Sequence, residues 1–157
     1  MRSNAIQKLG LTIGLLLAAL TVYGQAKDSL LGNWVLDRGK SEFDPDTTLQ
    51  SRSMEFTAKN GGIAFVQKTV SAAGNTVQID YEAKYDGKDM PVSGSQLSTV
   101  SLKRIDANTV ERTGKVNGMP AETVVMKISN GGKTLTMTTK GSVDGVDYSS
   151  TQIYDKQ

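Results

Sequence analysis

The chain has 157 residues, 22% of them charged, and contains neither histidine nor cysteine. Without Cys there are no disulfides, thiolate metal sites, thiolate nucleophiles or lipidated N-terminal Cys, and without His the usual general base near neutral pH and the commonest metal ligand are gone. The formal net charge of +2 belongs to Arg2 and Lys8 near the start, and the remainder carries 16 basic against 16 acidic residues with no Lys/Arg block, which leaves no electrostatic footprint for nucleic acid or an anionic membrane.

Residues 1–24 combine Arg2 and Lys8 with an apolar run from Leu9 to Leu20, and they end at the small-residue patch around Gly24 to Ala26. This pattern reads as a secretory signal peptide, cleaved after Gly24 or Ala26 and too short for a bilayer span of ~20 apolar residues. It predicts a secreted or periplasmic protein with no stable membrane anchor. Residues 25–157 then form a single domain.

From there the chain reads as strands. Apolar and polar positions alternate, with Thr, Val and Ile enriched, over Asn33–Asp37, Arg52–Ala58, Ile63–Ser71, Thr76–Tyr85, Ser98–Ile105, Thr109–Val116, Glu122–Ser129, Thr134–Lys140 and Val146–Tyr154. Between them stand "KNGG" (59–62), "AAGN" (72–75), "YDGKD" (85–89), "DAN" (106–108), "VNGMP" (116–120), "SNGG" (129–132) and "SVDG" (142–145). These supply the Gly, Asn and Asp that tight hairpins need at positive φ. No sustained helical period follows the leader, and the two NGG turns are flanked by unlike strands, so there is no internal repeat.

So many short strands in consecutive hairpins form an antiparallel meander, which loses its exposed edges by closing on itself. The expected fold is all-β, an up-and-down β-barrel of about eight to ten strands. An open Greek-key sandwich is the alternative, but it requires a long crossing connection. The only longer links, 38–51 and 89–97, do not by themselves break the up-and-down order.

Gly32-Asn33-Trp34, preceded by "DSLL", holds the only Trp of the chain. It resembles the G-x-W signature with which lipocalins and intracellular fatty-acid-binding proteins begin. "GGKTLTMTTKG" (131–141) and "STQIYDKQ" (150–157) are similar to the last two strands of a fatty-acid-binding protein. Nearly all of 32–157 resembles a group of secreted bacterial lipocalin-like domains through "GNWVLDRGKSEF", "YDGKDMPVSG", "SLKRIDANTVE", "GGKTLT" and "YDK". The resemblance implies a calycin-type barrel in which Trp34 plugs the closed end. Two departures stand out. The dozen or so residues between the first two strands leave no room for the helical lid of fatty-acid-binding proteins. In the last strand, Gln152 stands two residues before Tyr154 where that family's pattern has Arg, so the guanidinium that grips a carboxylate by charge-assisted bonds is missing.

If the apolar alternates point inward, the interior receives Met54, Phe56, Phe65, Val77, Ile79, Tyr81, Tyr85, Val100, Leu102, Val110, Leu135, Met137, Tyr148 and Tyr154. The same phase turns Arg52, Arg104 and Arg112 inward. Each Arg has two readings, an anion-facing site or a side chain that reaches solvent from a strand end. The solvent reading suits Arg52 and Arg104, which stand beside turns. The candidate ligand-binding set is Phe65, Tyr81 and Met137 for an apolar tail, with Arg112, Tyr148, Gln152 and Tyr154 for a polar head. A filled core uses the aromatic groups equally well.

Three function classes stand. The first is a carrier of a small hydrophobic or amphipathic ligand, and the second is a packed barrel that binds a protein or glycan through its loops. The third and weakest is an enzyme built on paired carboxylates, Asp44/Asp46, Asp86/Asp89 or Asp144/Asp147. Turn formation accounts for Asp at all of these positions, and two carboxylates fall short of the roughly six to eight oxygens of a calcium site. No catalytic residue, metal or cofactor is assigned.

Overall fold

The computed structural model describes residues 28–43, 48–143 and 145–157, without the side chain of Val143. The leader, Asp44, Asp46 and Asp144 lie outside them. Ten antiparallel strands follow in chain order: β1 (Gly32–Glu42), β2 (Leu49–Lys59), β3 (Gly62–Ser71), β4 (Thr76–Ala83), β5 (Met90–Ser93), β6 (Thr99–Asp106), β7 (Thr109–Val116), β8 (Met119–Ser129), β9 (Thr134–Val143) and β10 (Val146–Lys156). Every neighbour in the sheet is a neighbour in sequence, and β1 pairs with β10 to close the barrel. The fold is therefore an all-β, closed up-and-down barrel, as the alternation predicts, and the sandwich is excluded. Among the described residues the only helical element is a single 3₁₀ turn at Asn130–Gly132.

The turn chemistry explains the short connections. Asn60-Gly61 and Asn117-Gly118 both place two successive residues at positive φ, the geometry that joins two twisted strands in two residues. β5 is absent from the sequence reading, which left 89–97 as a link. It is only four residues long, contains Pro91, and pairs through two positions with each of its neighbours, Asp80 and Tyr81 on β4 and Val100 and Thr99 on β6. A strand that short, with a proline, carries no legible alternation. β1 also runs beyond Asp37, bulging between Asp37 and Glu42 while it stays on β10.

One contiguous core fills the end of the barrel where β1 begins. It includes Leu30, Trp34, Phe56, Ile63, Leu102, Val110, Met126, Leu135 and Tyr154. Trp34 is 0% exposed. Its indole Nε1 donates to the Leu30 carbonyl at 2.8 Å, and Lys156 Nζ lies 4.8 Å from its ring centre. The segment before β1 is fastened beneath it by Asp28, whose Oδ2 accepts from Tyr85 OH and from Arg104 Nη2, each at 2.5 Å. The Arg104 guanidinium also stacks over the Tyr85 ring at 4.0 Å. Arg104 is thus neither a ligand group nor a free surface cation, but part of the seal at the closed end. Val77 departs from the predicted interior set: at the second position of β4, beside the opposite end, it is 52% exposed.

Candidate functional site

Away from the Trp34 end the interior is not filled. A cavity of about 1070 Å³ lies there, bordered by β2, β3, β4, β5, β7, β8, β9, β10 and the β5–β6 connection. It lies near the upper end of ligand pockets, which run roughly 300–1,000 Å³. Phe65, Ile79, Val92, Leu97 and Met137 give it apolar surface, and Val116 and Met119 of the β7–β8 hairpin line it as well. Met119 is 69% exposed, so this hairpin marks the mouth.

Five of the seven sequence-predicted ligand residues line this cavity: Phe65, Arg112, Met137, Tyr148 and Gln152. Tyr81 and Tyr154 do not border it and belong to the buried core. The Tyr81 ring stacks on Phe65 with centroids 4.7 Å apart. Tyr154 reaches the site only through its hydroxyl, which donates to Gln152 Oε1 at 2.6 Å.

Polar side chains make up half of the lining, and two hydrogen-bonded groups stand out among them. In the first, Arg52 of β2 donates from Nη1 to Gln152 Oε1 at 2.8 Å and from Nε to Thr69 Oγ1 at 3.0 Å. The strand path explains this contact. β1 pairs with β2 only from Gly32 to Val35 and then continues along β10 alone. The wall therefore parts next to Ser53, and Arg52 bridges from β2 to β10. Its side chain does not run out to solvent along its stem as its place beside a turn suggests.

In the second group, Arg112 of β7 forms an ion pair through Nη2 with Glu122 Oε1 of β8, their side chains 13% and 16% exposed. Tyr148 OH donates to the other Glu122 oxygen at 3.1 Å. Arg112 Nε is buried with no hydrogen-bond partner among the described residues. Two glycines make room for the group. A Cβ at Gly114, opposite Glu122 in the β7–β8 ladder, would lie 2.9 Å from Glu122 Cγ and 2.6 Å from a Leu97 methyl. One at Gly141 would lie 2.6 Å from the Tyr148 hydroxyl.

Glu122 is the site residue that sequence reasoning missed. It stands in phase with Val124, Met126 and Ile128 on β8, all buried, so the alternation did carry the signal. Its place at the start of a predicted strand concealed it. Of the described carboxylates singled out by sequence, Asp86 accepts from the Lys88 amide at 3.1 Å within its turn, Asp89 pairs with Lys115 at 2.8 Å, and Asp147 stands on β10.

Burial raises the pKa of every described tyrosine. Burial, then the neighbouring Glu122 carboxylate, pushes Tyr148 up to about 12. Burial raises Tyr81 and Tyr154 too, with Arg112 and Arg52 respectively pulling the other way, and burial with Asp28 raises Tyr85. Each folded-state pKa lies above the unfolded value near 10, so the stability these phenols contribute is complete below pH 10 and falls as pH rises through the folded values. In an alkaline titration of the native protein, phenolate absorbance from these four is expected to lag well behind that of the unfolded chain. Titration of all of them near pH 10 with the fold intact would contradict these environments.

No protein-family model matches the chain, and no curated protein matches it. Among solved structures the barrel is similar to zebrafish ileal bile acid-binding protein complexed with cholic acid, with a TM-score of 0.52 and 14% sequence identity over 82% of this chain and 99% of that one. At that identity the likeness is one of fold alone, that of a closed antiparallel β-barrel.

Proposed function

We propose that the protein is a lipocalin-like carrier that takes a small hydrophobic or amphipathic molecule into the barrel. The observation that carries this reading is the cavity of about 1070 Å³ opposite the Trp34 plug, with a mixed lining of apolar and polar side chains that includes two hydrogen-bonded polar groups. Ligand pockets combine apolar walls with placed polar groups that fix orientation, and both are present in this cavity. That a protein of the same fold was solved with cholic acid supports the same reading. Binding is favoured over turnover because both Glu122 oxygens are already engaged and the chain supplies no His or Cys to activate a nucleophile. The leader-like residues 1–24 and the resemblance to secreted bacterial domains support action outside the cytoplasm.

The test is an equilibrium titration of the purified protein with a hydrophobic fluorescent reporter. Saturable uptake at one reporter per chain is expected. Absence of saturable uptake of any apolar probe by the folded protein would overturn the carrier reading in favour of a barrel that acts through its loops.

A further inference from the structure

The cavity's charges are not equivalent, and the difference bears on which ligands it accepts. Three charged side chains line it: Arg52, Arg112 and Glu122. Arg112 and Glu122 neutralise one another in a largely enclosed ion pair. Arg52 is held by neutral groups, Thr69 Oγ1 and Gln152 Oε1 as acceptors with the Tyr154 hydroxyl beside it, and has no ion-pair partner among the described residues. A guanidinium carries five N–H donors in a planar fork, of which these two bonds use two. Among the described residues Arg52 is therefore the one cationic group at the cavity wall with both charge and donors to spare.

We infer that Glu122 is a specificity-determining residue of the cavity: it holds Arg112 out of ligand recognition, so that Arg52 alone meets the head group and the site accepts an amphiphile bearing a single negative charge. This rests on the carrier reading above. The physical reason is the local dielectric. Next to apolar walls a carboxylate such as Glu122 repels a second anion far more strongly than it does in bulk water. A head group with two negative charges would have to place one of them against Glu122 or leave it unpaired. One with a single charge can settle on Arg52 and Gln152 beneath the β1–β2 parting, with its chain along Phe65, Ile79 and Met137. The sequence reading placed the anion contact on Arg112, and the ion pair with Glu122 moves it to Arg52.

The experiment is a competition titration in which dodecanol, dodecanoate and dodecyl phosphate displace the bound reporter. In the wild type, dodecanoate is expected to compete about tenfold better than dodecanol, the effect of one charge-assisted hydrogen bond, and dodecyl phosphate worse than dodecanoate. Glu122→Gln keeps a hydrogen-bonding oxygen toward Arg112 but removes the charge. It should improve dodecanoate about tenfold and dodecyl phosphate by more, with dodecanol unchanged. Gln152→Glu instead adds a carboxylate to the Arg52 contact, keeping the β2–β10 bridge while cancelling its charge. It should erase the preference for dodecanoate over dodecanol, which tests Arg52 as the head-group contact, the part of the inference that stays falsifiable even if Glu122→Gln unfolds.

An unchanged head-group ranking in Gln152→Glu, or in a folded Glu122→Gln, would overturn this inference while leaving the carrier reading intact. Failure of the wild type to bind the reporter at all would instead overturn the carrier reading itself.

Discussion

Trp34→Ala is expected to lower the stability of the barrel by about 3–5 kcal/mol, the cost of emptying a large aromatic site in a core that relaxes only in part. Trp34 is fully buried. Its indole ties β1 to Leu30, in the segment that seals the end of the barrel, and Lys156 of β10 lies over its ring. The substitution therefore removes packing and orphans the Leu30 carbonyl at the point where the first and last strands close the sheet. Denaturant unfolding measures it. A loss below about 0.5 kcal/mol, the range of surface substitutions, would show that Trp34 does not hold this end together.

The second large effect is expected at Arg112. With Arg112 facing a ligand, sequence reasoning predicts that Arg112→Met keeps the fold and weakens anionic ligands more than neutral ones of equal size. The Glu122 ion pair changes that expectation. Removing the guanidinium leaves a carboxylate, 16% exposed, facing Tyr148 and apolar neighbours without its counter-charge. Breaking a buried pair from one side costs roughly 3–5 kcal/mol, and contact with the cavity places this one near the lower figure. The double variant Arg112→Met, Glu122→Met should recover most of the loss, because two apolar side chains of similar volume avoid the desolvation of both charges. A double-mutant cycle followed by urea unfolding reads the coupling directly. Additive losses from the two single substitutions would mean that the pair contributes nothing as a pair.

The barrel was legible in the sequence because its two signals are local. Period-two alternation marks nine strands, and Asn-Gly or Gly-rich turns separate them at hairpin spacing. Trp34 was legible for a different reason, as the only Trp beside a glycine at the start of the first strand. What stayed hidden depends on register between distant segments. Arg52 meets Gln152, a hundred positions away in sequence, only because β1 leaves β2 after Val35. The Arg112–Glu122 pair depends on Gly114 standing opposite Glu122 across the β7–β8 ladder. The placement of Tyr81 and Tyr154 in the core rather than on the cavity wall follows from depth along the barrel, and alternation reports which face a side chain takes without reporting how deep it lies.

The central claim is that the interior opposite Trp34 is where the protein holds its ligand, and its most direct test is a backbone amide chemical-shift map of the protein saturated with the fluorescent reporter. The account predicts saturable shifts at the cavity-lining stretches of β2, β3 and β7 to β10, including Phe65, Arg112, Met137 and Gln152, and little change around Asn60-Gly61 or Asn130–Gly132 at the sealed end. Shifts confined to the outer faces and loops, with those interior positions unmoved at saturation, would contradict it.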